Sequence, residues 1–387
     1  MTESAHERHV KVFVHLGYGF GGQSWTQRHA VGSIPGLNDR LAYGYYRASG
    51  NGWSVEYSED ARESALIRFC RIALRRMIGF DLIHAWRNRK RLFVADIVWT
   101  HTEIENLAVL LLFWLCYWRR EPKVIANCVW LFDRWPNLSW PRRFIYRELL
   151  RRADVVTTFS PANIQVAKSV LRDTRCEYIR WGATIEDLKK PSRKPMHSPL
   201  RIASLGSDIH RDWKTVITAF GNRERYRVEI GSRRINPKLL MGINNVTVRS
   251  VATAGDVKAL YEWADIVVVS LKPNLHVSGI TVILESIILG VPVVCTDSGG
   301  LSAYFSSSEI CYVPTYAPIA MRVAVEELAQ GDERRWGMVM SAQKRLLSAS
   351  LTTKGFAERH RQLSEELLLH QTEISLRMPH AVSLERP

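Results

Sequence analysis

Short apolar runs alternate with longer amphipathic stretches along most of this chain. In the first half VKVFVHL, ADIVWTH, KVIANCVWLF and DVVTTFS read as strands, and EIENLAVLLLFWLCYW and RRFIYRELLRR read as helices. Such alternation predicts parallel strands joined by crossover helices, because parallel neighbours cannot be linked by a tight turn. The segment KKPSRKPMHSP, residues 189–199, breaks the rhythm with three prolines and four basic residues and reads as a linker. The pattern then restarts: LRIASLG, YRVEIGS, NVTVRSV, DIVVVSL and VPVVCTD as strands, with WKTVITAF, GDVKALYEWA and TVILESIILG as helices. Two α/β domains are therefore expected, over 1–188 and 200–355. A C-terminal helix over 356–371 is expected to pack back on the first domain, ahead of a loose tail over 372–387. Within the first domain RLAYGYY is a candidate strand, and QSWTQRHAVG reads as a polar, loop-like continuation.

Composition changes this picture mainly through charge. Of 387 residues, 46% are hydrophobic and 24% charged, the balance of a folded chain. Six cysteines lie scattered without C-x-x-C spacing and the N-terminus lacks the apolar stretch of a secretory signal, which predicts a reducing, cytoplasmic setting. The longest apolar run, LAVLLLFWLCYW, falls short of the ~18 residues that span a bilayer. The net charge of +15 is spread over both halves and accompanies no RNA- or DNA-binding module, so nucleic acid is not expected as a partner. Locally, ALIRFCRIALRRMIG (65–79) places Arg68, Arg71 and Arg75 on one helical face with Arg76 beside them. Leu66, Phe69, Ala73 and Met77 share another face, and Arg87, Arg89, Lys90 and Arg91 follow. This basic amphipathic helix predicts peripheral docking on the anionic inner face of the membrane.

Residues 17–22 spell GYGFGG directly after an apolar run, the G-x-G-x-x-G of a dinucleotide site. A NAD-dependent oxidoreductase also needs an acidic residue at the end of the second strand, about 20 positions on. Asp39 has the distance but precedes the candidate strand. The glycines still mark close backbone approach or a sharp turn.

A second segment, HVSGITVILESIILGVPVVCTDSGG (276–300), carries more chemistry. Gly279 opens an apolar helix whose free N–H groups at Gly279, Ile280 and Thr281 and positive dipole end suit a diphosphate. Glu285, further along the same helix, is placed to accept both hydroxyls of a ribose.

From these residues the chain resembles the family 4 glycosyltransferases over most of residues 10–370. The resemblance implies the GT-B fold: α/β, two Rossmann-like domains whose parallel sheets face an interdomain cleft. The family's E-x7-E, G-x-P-V-V and Gly-Gly turn are matched by Glu285, Gly290, Pro292, Gly299 and Gly300, whereas its first Glu falls on Val277 and is absent. In SLGSDIHRDWKTVITAF, Arg211 falls on the family's diphosphate-gripping lysine, with Lys214 as a second cation. In DIVWTHTEIENLAVLL, His101 falls on the histidine that approaches the donor sugar. GYGFGG resembles the glycine-rich first loop, so Gly21 and Gly22 are read as donor-binding.

The implied function is transfer of a sugar from a UDP- or GDP-linked donor to a hydroxyl of a glycan or lipid-linked acceptor, in cell-surface polysaccharide synthesis. Catalysis is expected from His101 and Arg211, with retention of configuration and the leaving phosphate taking the acceptor proton. Inversion needs a protein base, for which Glu103, Glu105 and Asp133 are the candidates. No D-x-D occurs and no His/Cys/Asp set has metal-ligand spacing, so neither a metal nor another cofactor is expected. A catalytically silent scaffold of the same fold is the remaining alternative.

Overall fold

The apolar runs form strands buried on both sides, as parallel sheets covered by helices require. Ile97–Thr100 and Ile266–Val269 are buried at every position. The computed structural model describes residues 9–119, 122–191, 193 and 195–377. The first domain runs β1 (Val10–His15), α1 (Gly22–Ala30), β2 (Trp53–Tyr57), α2 (Ala65–Ile78), α3 (Leu82–Leu92), β3 (Ile97–Thr100), α4 (Glu103–Leu115), β4 (Lys123–Asn127), α5 (Leu131–Arg134), α6 (Trp140–Leu150), β5 (Val155–Thr158), α7 (Pro161–Val170) and β6 (Cys176–Tyr178). The second runs β7 (Leu200–Leu205), α8 (Trp213–Phe220), β8 (Tyr226–Gly231), β9 (Val246–Arg249), α9 (Ala254–Trp263), β10 (Ile266–Val269), α10 (Ile280–Ile288), β11 (Val293–Thr296), β12 (Cys311–Val313), α11 (Pro318–Gln330) and α12 (Asp332–Ser348), and α13 (Thr353–Arg377) closes the described chain.

The two six-stranded sheets have the orders β2-β1-β3-β4-β5-β6 and β12-β11-β10-β7-β8-β9, with every pairing parallel. Each sheet therefore reverses its winding once, between β1 and β3 in the first and between β7 and β10 in the second. Loops leaving the carboxyl ends of strands at such a point splay apart and leave a crevice.

One apolar core runs continuously through both domains, joining Val12, Trp99 and Tyr45 of the first to Val269, Ile283 and Leu301 of the second. The outer faces of the sheets have separate cores, under α3, α4, α6 and α7 in the first domain and under α8 and α11 in the second.

Two local expectations are overturned. RLAYGYY is not a strand: 42–48 forms 3-10 turns in which Tyr43 and Gly44 take left-handed φ values of 62° and 70°. Its aromatics mimic a strand pattern, yet Ala42, Tyr45 and Ala48 are buried at a period of three. QSWTQRHAVG is helical, as α1, anchored by buried Trp25. Its cap comes from a distant loop: Glu59 Oε2 accepts from the Gln23 amide at 3.0 Å and Asp60 Oδ2 from the Gly21 amide at 3.2 Å.

α13 begins at 353, three residues earlier than expected, and seats on the first domain. Trp99 Nε1 donates to Ser364 Oγ at 2.9 Å, and Phe356 packs against Tyr45 and Trp181. Residues 372–377 continue this helix, and the rest of the expected tail, 378–387, lies outside the described residues. The chain thus crosses between domains twice, and the crossings pair: Ala183 donates to Leu351 O at 3.2 Å and accepts from Thr353 at 2.9 Å.

Candidate functional site

The winding reversal of the second sheet puts the loop after β7 beside the loop after β10. Backbone bonds zip them: Asp212 N donates to Ser270 O at 3.0 Å and Lys272 N to His210 O at 2.7 Å. Between them lies the Arg211 guanidinium, buried in a slot floored by glycines with left-handed φ. A Cβ on Gly206 would come within 2.2 Å of Arg211 Nε, and one on Gly279 within 3.0 Å of Nη1. Only glycine leaves room for the cation at both places.

Among the described residues Arg211 Nε and Nη1 have no hydrogen-bond partner, and neither does the buried Ser278 Oγ. Burial lowers the guanidinium pKa, against the nearby Asp208 charge. Gly279 caps α10 without a side-chain acceptor. The Ile280 amide, expected to be free, is already taken, donating to Val277 O at 3.1 Å. A buried unpaired cation beside a helix N-terminus costs stability unless an anion completes it. The set fits a diphosphate.

Glu285 follows on α10, almost fully buried. Its Oε1 accepts the Leu37 amide at 2.8 Å and its Oε2 the Tyr261 hydroxyl at 2.8 Å. Burial pushes the carboxyl up to about 7, against the lowering effect of both bonds. Leu37 belongs to the first domain, whose 32–38 segment reaches across the boundary: Gly32 O also accepts from Ala254 N at 3.0 Å. A cavity of ≈ 380 Å³ opens alongside, lined by Leu37, Arg40, Tyr46, Glu186 and Lys258 among others.

Thus Arg211, Gly279, Ile280, Thr281 and Glu285 share one end of one sheet. Ile280 is buried and Thr281 exposed, while Lys214 is exposed on α8 and takes no part in the slot. Gly21 and Gly22 sit in the first domain, where the loop's amides are already taken. Asp60 accepts from Gly19 at 2.9 Å as well as from Gly21, and a Cβ on Gly21 would stand 2.7 Å from Asp60 N. These glycines allow a protein carboxylate to approach, which removes the phosphate cradle that a nicotinamide site needs. Asp39, the candidate ribose acid of that reading, is bound instead to Arg47 and the Tyr46 hydroxyl.

His101 stands at the carboxyl end of β3. Its ring stacks on Tyr43 with centroids 3.5 Å apart, Nδ1 is 3.0 Å from the Tyr45 hydroxyl, and Phe159, Trp181 and Phe356 close around it. Burial, with a smaller effect from His360, lowers its pKa well below that of a free imidazole, so the ring is neutral at pH 7.

The three carboxylates considered as inverting bases are committed elsewhere. Glu103 accepts the amides of Val129 and Trp130 at 3.1 and 3.3 Å. Glu105 completes a capping box with Thr102 at the start of α4. Asp133, on α5, reaches across the boundary to the His276 amide at 3.0 Å and to the ring Nδ1 of His276, which lies on the loop after β10. Nothing in the local sequence around Leu37, Tyr261 or Asp133 signals these contacts.

On the opposite side of the first domain α2 carries exposed Leu66, Phe69 and Met77, and α6 carries exposed Trp140, Phe144 and Ile145. The helices meet where Arg142 donates to Met77 O at 2.9 Å. Arg71 is not part of this surface, contrary to the helical-wheel expectation. It is buried between Glu63 and Asp81 at 2.8 Å each and lies over the Tyr18 ring. No described helix is long and apolar enough to cross a membrane.

Two such domains with a crevice between their sheets define the GT-B fold, and solved structures confirm the architecture. Sucrose-phosphate synthase from Thermosynechococcus elongatus superposes with a TM-score of 0.70 at 13% identity, covering 93% of this chain and 100% of that one. Anabaena HepE in complex with UDP-glucose gives 0.63 at 12% identity, covering 92% and 100%. A trehalose-6-phosphate synthase analysed for glycosyl transfer with retention gives 0.61 at 10% identity, covering 92% and 99%. No family model and no curated protein matches the sequence.

Proposed function

We propose that this chain is a glycosyltransferase that moves a sugar from a nucleoside diphosphate to a hydroxyl of a glycan or lipid-linked acceptor in cell-surface polysaccharide synthesis. One observation carries the reading: a buried, unpartnered Arg211 guanidinium against the uncapped N-terminus of α10. In this reading Arg211 and the amides of Gly279 and Thr281 hold the diphosphate and stabilise the charge that grows on it as the sugar departs. Glu285 accepts the ribose hydroxyls, once the 32–38 segment withdraws and releases its carboxylate. The UDP-glucose bound by HepE on the same fold favours a UDP-linked donor.

Retention is favoured because Glu103, Glu105 and Asp133 already serve as acceptors of protein hydrogen bonds, which leaves the departing phosphate to take the acceptor proton. Neutral, aromatic-caged His101 acts as a positioned polar wall for the donor sugar rather than a charge. We place the enzyme on the cytoplasmic face of an anionic membrane. The exposed apolar side chains of α2 and α6 meet the acyl boundary there, and Arg68, Arg75 and Arg76 meet the headgroups.

Calorimetric titration with UDP, GDP, ADP and NAD, followed by nucleotide release from a panel of nucleotide sugars, tests the reading. One tight nucleoside diphosphate and turnover of one of its sugars is the expected result; no nucleoside diphosphate binding would leave a scaffold.

A further inference from the structure

One cluster beside the cleft has no part in that chemistry. Asp208 and His210 lie on the loop after β7, and His276 lies 66 positions further on, after β10, so no sequence spacing connects them. In the fold Asp208 Oδ1 is 3.0 Å from His210 Nδ1, and Asp208 Oδ2 is 3.3 Å from His276 Nε2. One oxygen and two ring nitrogens lie within 4.8 Å of one another. Ligand atoms held at about 2.0–2.2 Å by one tetrahedral ion stand about 3.3–3.6 Å apart, so the cluster needs only small shifts to converge.

The other nitrogen of His276 supplies an independent feature. Its Nδ1 is bound by Asp133, which also accepts the His276 amide at 3.0 Å. A carboxylate on the far nitrogen fixes the ring's tautomer and orientation and raises its basicity, the usual outer partner of a metal-binding histidine.

We propose that Asp208, His210 and His276 form a site for a divalent transition ion, with Zn²⁺ as the best match and Asp133 as the positioning residue. Two imidazoles and a carboxylate select such an ion over Mg²⁺ and Ca²⁺, which take oxygen ligands. Three protein ligands leave a fourth position for water or an anion. The ligands belong to the second domain and Asp133 to the first. Loading the site therefore immobilises the ring that joins the domains and favours the closed arrangement.

The test is made without nucleotide, so it stands apart from the donor reading. The full chain, stripped with chelator and dialysed, is titrated at neutral pH with Co²⁺ alone while visible ligand-field absorption is followed. The expected result is uptake of about one ion per chain, bleached by Zn²⁺, with loss of about 100-fold or more in affinity in His210→Ala and Asp208→Asn. Asp133→Asn should lose about 10–100-fold, as outer partners do. His210 is half-buried on a loop, and circular dichroism of His210→Ala verifies its fold. No uptake by the parent, or equal uptake by the parent and His210→Ala, overturns the site.

Discussion

The Leu37 amide and the Glu285 carboxylate, 248 residues apart, meet in a 2.8 Å hydrogen bond across the domain boundary. The carboxylate proposed for ribose is thus held by the protein's own backbone, and under that proposal donor entry competes with the bond. Gly36 makes the contact possible: its φ is +97°, and a Cβ there would lie 2.6 Å from Glu285 Oε1. Gly36→Ala should lower the unfolding temperature of the nucleotide-free protein and tighten UDP binding, about fivefold for each kcal/mol by which the contact is weakened. Weaker UDP binding in a folded variant would show instead that the segment is a wall of the nucleotide site.

Glu285→Ala should weaken UDP binding by roughly 1.5–3 kcal/mol, the worth of a charged hydrogen-bond acceptor. Calorimetry on the folded variant decides it, and unchanged affinity removes Glu285 from the ribose.

The same residue sets a pH dependence. Burial pushes its carboxyl up to about 7 in the fold, against 4.5 for a free Glu. Between those values the unfolded chain has released a proton that the folded chain keeps, so this group makes stability fall as pH rises through the window and level off above it. Urea midpoints measured from pH 4.5 to 8 should show that decline in the parent, and Glu285→Gln should remove it. UDP affinity should rise over the same range, because ribose binding uses the ionised form.

Arg211→Ala should raise the Kd for UDP on the order of 10–100-fold while leaving uridine binding unchanged, since the proposed role of the guanidinium is to hold the diphosphate and not the nucleoside. Equal losses for the two ligands would place the cation elsewhere.

The arginines of α2 divide into two kinds. Replacing Arg68, Arg75 and Arg76 by Gln should release the protein from vesicles rich in anionic lipid, with each exposed cation near the surface worth about 1 kcal/mol. Arg71→Ala should instead destabilise the fold by about 3–5 kcal/mol, because Asp81 is left buried without its cation and Glu63 keeps only Arg87. Unchanged flotation of the triple variant with vesicles would rule out α2 as the anchor.

That division shows where sequence reading stopped. Strands such as IVWT and IVVV, and the run from Gly279 through Glu285 to Gly290, announce themselves because burial on both faces and helix capping are written in neighbouring residues. Arg211 is singled out only through the family resemblance, by counting back from the A-F that ends α8; nothing in its own neighbours marks it as buried. A helical wheel cannot show that Arg71 turns inward, since its partners Glu63 and Asp81 lie outside the helix. The cap of α1 comes from Glu59 and Asp60, so QSWTQRHAVG carries no start signal of its own. The Asp133–His276 and Leu37–Glu285 bonds join domains, and no periodicity encodes a partner more than a hundred residues away.

α13 carries a consequence for how the molecule is made. Ser364 holds the indole of Trp99, and Phe356 helps to enclose His101, so part of the first domain's interior is supplied by residues translated after the whole second domain. Domains commonly fold in the order of their synthesis. Here the N-terminal sheet leaves the ribosome with an apolar face uncovered and stays so until more than 150 further residues have been added. A gene cut after the linker would express a half-domain lacking its final helix, and restoring α13 as a separate peptide is the way to rescue it.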